Sequence, residues 1–164
     1  MPATQIGKLA VRRSIEINAT PERVWQEFES AERFRLWYTP AGGVDMPCKR
    51  VEYEPRAGGT FETEGYHEWQ GGKQPFHFTG HVVVFDPPRE LTVQMIPPGE
   101  TNAMLLTFRL TPTSDGNTLA EIIQHGFEAY GAGAENLRNQ YESGWTTLQL
   151  ECVKNLVETG KATG

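Results

Sequence analysis

The stretch ENLRNQYESGWTTLQLECVKNLVET, residues 135–159, decides the fold. Within it Leu137, Tyr141, Trp145, Leu148, Cys152 and Leu156 recur at spacings of 4, 4, 3, 4 and 4. That periodicity places all six on one side of an α-helix. Such a helix would be about 37 Å long at roughly 1.5 Å per residue. Gly160 and Lys161 suit its C-terminal end. Gly144 stands mid-helix, where glycine costs about 1 kcal/mol relative to alanine. Close packing against a strand or a short helix accounts for it better than close approach of a ligand. An apolar face this long must lie across something wide, and the rest of the chain supplies it.

Upstream, the pattern changes to strands and turns. Residues 9–17 alternate, with Val11, Ile15 and Ile17 on one side and Arg12, Ser14 and Glu16 on the other. Thr20-Pro21-Glu22 opens a short helix, with Thr20 as N-cap and Pro21 at the first helical position. Ser30 caps a second, carrying Phe34, Leu36 and Trp37, which Pro40 ends. Residues 41–57 read as a loop with a short strand at Arg50–Tyr53. Further strands are expected at Phe61–Tyr66, Phe76–Phe85, Leu91–Ile96, Met104–Thr111 and Thr118–His125. The links between them are short and rich in Gly and Pro, so neighbouring strands run antiparallel. Six or seven antiparallel strands, two short helices after the first strand and one long C-terminal helix make an α+β domain.

Composition bounds the function. The 164 residues fit one domain, with a core at about 9–160. Fifteen Lys and Arg against 21 Asp and Glu leave a formal charge of −6. Phosphate backbones and anionic lipid repel such a chain, and the largest basic cluster is Arg12-Arg13, so no nucleic acid partner is expected. The longest apolar runs, such as Val82-Val83-Val84-Phe85, are far too short to span a bilayer, so no membrane insertion is expected. Two cysteines without a CxxC pair, and no apolar leader near Met1, point to a reduced, cytoplasmic setting.

Several motifs resemble those of a known family: NATPERVW (18–25), AERFRLWYTP (31–40), RAGGTFE (56–62), GHVVVFDPPREL (80–91), TFRLTP (107–112) and SGWTTLQLECVKNL (143–156). Their order resembles the helix-grip fold of the START-like (SRPBCC) superfamily, and most closely the family named for activators of the heat-shock protein 90 ATPase. The resemblance implies a curved antiparallel sheet wrapped around the C-terminal helix. It also implies a hydrophobic cavity between them that holds a small hydrophobic or aromatic ligand, as in a carrier, sensor or scavenger. Two alternatives come with it: a polyketide cyclase/aromatase-like enzyme, and a chaperone-modulating interaction domain. The segment HEWQGGKQPF (67–76) is longer than the usual hairpin there. The chaperone-binding domain that precedes this fold in eukaryotic co-chaperones is expected to be absent.

The candidates to line the cavity are Trp37, Phe61, Trp69 and Phe78, with Phe108, Tyr141, Trp145 and Leu148. Each either fills the core or faces a ligand, and we take Trp145 as the cavity's roof. Strand register, which decides between these, is not fixed by sequence. No metal is expected. His77 and His81 share a strand face but lie about 13 Å apart, too far to share one ion. The run Gly131-Ala132-Gly133-Ala134-Glu135-Asn136 precedes a final helix, so no βαβ dinucleotide unit forms and no cofactor is implied. Cys152 reads as core. Glu62 and Glu64 read as a solvated strand face, and Arg56 and Arg109 as structural ion-pair partners. Tyr66, Tyr130 and Tyr141 are the candidate hydrogen-bond donors for a cyclase-like reaction. The alternatives separate on the cavity's contents: clustered titratable groups for an enzyme, dry aromatic walls for a carrier, a filled interior with an exposed apolar patch for an interaction domain. A homodimer is left open.

Overall fold

The computed structural model describes residues 4–38, 50–69, 72–144 and 147–161. The alternation of residues 9–17 becomes β1 (Val11–Ile17). Thr20 then caps α1 (Pro21–Trp25), its hydroxyl accepting from the Arg23 N–H at 3.3 Å. A 3-10 turn (Gln26–Phe28) leads to α2 (Ala31–Trp37), where Ser30 accepts from the Arg33 N–H at 3.1 Å. Six strands follow: β2 (Arg50–Tyr53), β3 (Thr60–Trp69), β4 (Gly72–Asp86), β5 (Glu90–Met95), β6 (Met104–Pro112) and β7 (Thr118–His125). After a 3-10 segment (Phe127–Gly133) come α3 (Ala134–Gly144) and α4 (Leu148–Thr159).

The strands form one seven-stranded sheet in the order β1-β7-β6-β5-β4-β3-β2. Every pairing is antiparallel. Among the described strands only the β1–β7 contact joins strands distant in sequence; the rest is a meander. β4 shifts register against β5 between Val82 and Val84, a bulge that bends the strand. Gly80 sits beside that bend. A Cβ there would lie 2.4 Å from the Gln94 carbonyl oxygen, so only glycine admits this approach of β5.

The C-terminal element differs from the expectation of one unbroken helix over 135–159. It is two helices, and Thr147 between them has φ −86° and ψ 5°, outside regular helical geometry. The physical reason lies in Gly144, the poorest helix former bar proline, followed by the β-branched pair Thr146-Thr147. Trp145 and Thr146 lie outside the described residues. Both helices are tied to β1. Arg138 Nε donates to the Ala10 carbonyl at 3.0 Å, Arg13 Nη2 to the Glu142 carbonyl at 2.9 Å, and Lys154 Nζ to the Glu16 carbonyl at 3.1 Å.

The core lies between the sheet and the helices. Trp25, Phe28, Phe34, Trp37, Tyr38, Tyr53, Phe61 and Phe108 form one continuous aromatic cluster. Its polar edges are satisfied: Trp37 Nε1 donates to the Glu27 carbonyl at 3.0 Å and the Tyr53 hydroxyl to the Phe28 carbonyl at 2.6 Å. The Glu27 side chain is fully buried and is held by Arg33 at 2.8 Å and Arg23 at 3.4 Å, which fastens α1 to α2.

β5 is buried on both faces. Leu91, Val93 and Met95 face the core. On the opposite face the segment before β1 crosses the sheet: the Thr4 N–H donates to Glu90 Oε1 at 3.3 Å, and Arg109 Nη2 to the Thr4 carbonyl at 2.9 Å. On this same face Thr92, Thr107 and His125 are buried.

Candidate ligand cleft

Alternation along β4 sends Phe76 and Phe78 to the same face, and their rings lie 6.0 Å apart. Opposite them, α3 presents Leu137 and Tyr141, one helical turn apart. Between these two walls is a cleft of about 680 Å³, open to solvent on one side. Met104 forms its inner end, and the Pro97-Pro98 turn and Tyr130 its rim. The volume falls in the range of sites for small organic molecules, roughly 300–1,000 Å³.

The polar groups of the cleft are few. Glu100 stands on the rim, and Asn136 and Gln140 on the α3 side. Burial pushes the Tyr141 phenol well above its usual range, and Tyr130 and Glu100 push it in the same direction. The Tyr130 phenol is raised by burial and then by Glu100. Both phenols therefore stay protonated at neutral pH. The Tyr130 hydroxyl donates to the Asn102 carbonyl at 3.2 Å.

His77 borders the cleft through its place between Phe76 and Phe78, but its ring serves the other face of the sheet. There its Nε2 lies 2.5 Å from Glu62 Oε2. The hydrogen bond from His77, opposed by burial and helped by Arg50, holds the Glu62 carboxyl below the usual carboxylate range. Arg50 reaches Glu52 at 2.7 Å, Glu62 at 3.4 Å and Glu64 at 3.8 Å. Glu62 and Glu64 thus belong to a charged ladder outside the cleft.

The eight residues singled out by sequence separate into three groups. Phe78 and Tyr141 line the cleft. Trp37, Phe61 and Phe108 are at most 1% exposed and belong to the aromatic cluster, packed on one another's neighbours and away from the cleft. Trp145, and the side chains of Trp69 and Leu148, lie outside the described residues. Sequence reasoning missed Phe76, Met104, Glu100, Leu137 and Gln140 as cleft residues. Leu137 and Phe76 carried a signal, since each lies one period from a residue already chosen. Pro97-Pro98-Gly99-Glu100 read as a turn and nothing more.

A second polar cluster lies beside the N-terminal strap. Glu90 is paired with Arg109 at 3.2 Å, and a chain of side chains runs from Glu90 through Thr92 and Thr107 to His125. Cys152 is buried on α4, and burial raises its thiol above the usual range, as befits a core residue. Among the described residues no three His, Cys, Asp or Glu side chains are grouped so as to hold a metal ion. Among them too, no helix is long and apolar enough to cross a membrane.

Comparison with known proteins bears on the fold and the family. The sequence model described as Activator of Hsp90 ATPase homolog 1-like protein matches residues 18–158. A crystal structure from Chromobacterium violaceum is similar at 27% identity and TM-score 0.65, covering 91% of this chain and 97% of that one. One from Nitrosomonas europaea is similar at 20% identity and TM-score 0.66, covering 96% and 100%. DynU16, a protein in the dynemicin biosynthetic locus, is similar in fold at 15% identity and TM-score 0.61, covering 95% of this chain and 49% of DynU16. No curated protein matched the sequence.

Proposed function

Because the chain belongs to the Activator of Hsp90 ATPase homolog 1-like family, we propose that it binds a small hydrophobic or aromatic molecule between β4 and α3, as a carrier, sensor or scavenger. The observation that carries this reading is the cleft of about 680 Å³ walled by Phe76, Phe78, Met104, Leu137 and Tyr141. Binding there removes apolar surface from water on both partners, worth roughly 25 cal/mol per Å² before the costs of ordering. Phe78 and Tyr141 are the ligand contacts among the residues chosen from sequence. Trp37, Phe61 and Phe108 serve as the rigid backing from which β4 and β6 are held.

Nile red titration of the full chain tests the proposal, with Leu137→Trp as a variant whose larger side chain occupies the cleft. Wild-type protein is expected to bind the dye in a saturable manner. Leu137→Trp should weaken binding about tenfold, a loss of about 1.4 kcal/mol, with an unchanged melting temperature. Absence of saturable binding by the wild type, together with native mass spectra free of any co-purified small molecule, would overturn the proposal.

A further inference from the structure

Four aromatic rings and one carboxylate border the same space. Phe76 and Phe78 lie on one wall, Tyr141 on the other, and Tyr130 and Glu100 stand at the rim. Among the described lining residues no Lys or Arg is present, and the His77 ring is engaged by Glu62 on the opposite face of the sheet. A carboxylate, sulfonate or phosphate entering this space would meet no cation among the described lining residues and would sit near Glu100. Burying an unpaired anion is costly, and a like charge adds to the cost. A cation meets the reverse situation. The negative faces of the rings attract an ammonium group, Glu100 supplies the counter-charge, and the formal charge of −6 on the chain draws cations toward the surface.

We propose that the cleft selects hydrophobic cations, such as an aryl or alkyl group bearing an amine or quaternary ammonium, with the apolar part between Phe78 and Leu137 and the charge toward Tyr130 and Glu100. This inference rests on the cleft being a binding site. Burial is the main cause that raises both phenols, and Glu100 adds to it in each case, which agrees with a negative charge near Tyr130 and Tyr141. Glu100 is exposed, so the preference is moderate and weakens with salt.

Three probes of one shape and different charge provide the test: naphthylmethyl-trimethylammonium, neopentylnaphthalene and naphthylmethanesulfonate. Their affinities for the full chain are compared at low and at high salt. The cation is expected to bind about fivefold tighter than the neutral probe at low salt, and the sulfonate weaker than both. Glu100→Gln should bring cation and neutral probe close to equal affinity. Glu16→Gln, an exposed carboxylate on β1, should leave the ratio as in the wild type. Neutral probe or sulfonate binding tighter than the cation would overturn the charge selection while leaving the cleft a binding site. A ratio unaffected by Glu100→Gln would overturn it too. Failure of all three probes to bind would remove the cleft reading and this inference together.

Discussion

Thr63 and His125 are both buried polar side chains, and they differ in whether they have a partner. The Thr63 hydroxyl finds none among the described residues. A buried donor left unsatisfied keeps its desolvation cost, so Thr63→Val, which preserves shape, should raise stability by about 1 kcal/mol in urea melts. A loss of stability would mean the hydroxyl is satisfied. His125 is partnered, its Nε2 lying 2.8 Å from the Thr107 hydroxyl. Burial lowers its pKa, and the Arg109 and Arg12 charges act in the same direction against Glu90 and Glu128. The folded protein therefore takes up a proton on His125 less readily than the unfolded chain, whose ordinary value is 6.5. Stability from this group is present above that value and is lost as pH falls below it. For Glu90, burial pushes upward, but hydrogen bonds from Thr4, Arg109 and Thr92 outweigh it and leave the carboxyl below its ordinary 4.5. Its contribution is present above 4.5 and is lost at lower pH. Thermal melts should thus show falling stability in two stages as the solution is acidified. His125→Gln should flatten the first stage, and an unchanged slope there would contradict the assignment. None of this was legible in sequence, where His125 was one of four scattered histidines. Its partners come from β5 and β6, at separations that only the register brings together.

Among the elements, capping was the most legible feature. Thr20 and Ser30 both accept the hydrogen bonds that their positions before Pro21 and Ala31 implied. Thr20→Ala and Ser30→Ala should each cost about 1 kcal/mol in denaturant melts. Effects below a few tenths would show that packing of Trp25 and Phe34 alone holds these short helices. Strand positions were equally readable, because alternation and Gly-Pro turns are local signals. β2 and β7 begin and end where the sequence placed them. What local signals could not give was burial of β5 on both faces. Glu90 and Thr92 look like a solvent face, and Thr4, which bonds the buried Glu90 carboxylate, lies 86 residues away in sequence. Deleting residues 1–6 should lower the melting temperature and raise amide exchange in β5 and β6, read by mass spectrometry. Unchanged exchange would mean that the strap only rests on the sheet. The C-terminal helix shows the converse. Its apolar period was strong enough to read as one helix of 25 residues, yet Gly144 and Thr147 outweigh it locally, and the element divides in two.

At the scale of the molecule, the seven-stranded sheet holds two different interiors. Near α1 and α2 the concave side is filled by aromatic rings, with Phe34 and Trp37 centred 4.6 Å apart and Trp37 and Phe108 5.3 Å apart. Near α3 the same side is left open. Sequence identified the apolar face of each element but not the depth at which each residue lies, which explains why Phe78 and Tyr141 were chosen alongside Trp37, Phe61 and Phe108. Depth is set by how α2 and α3 sit over the sheet, a property of the whole chain. The central claim is that the open part, and not the aromatic cluster, receives the ligand. The most direct measurement is an NMR titration of labelled protein with neopentylnaphthalene, following side-chain signals. Saturable shifts are predicted for Phe78, Met104, Leu137 and Tyr141, with Trp37, Phe61 and Phe108 unmoved. Shifts centred on the aromatic cluster, or no saturable shift at any cleft residue, would contradict the account.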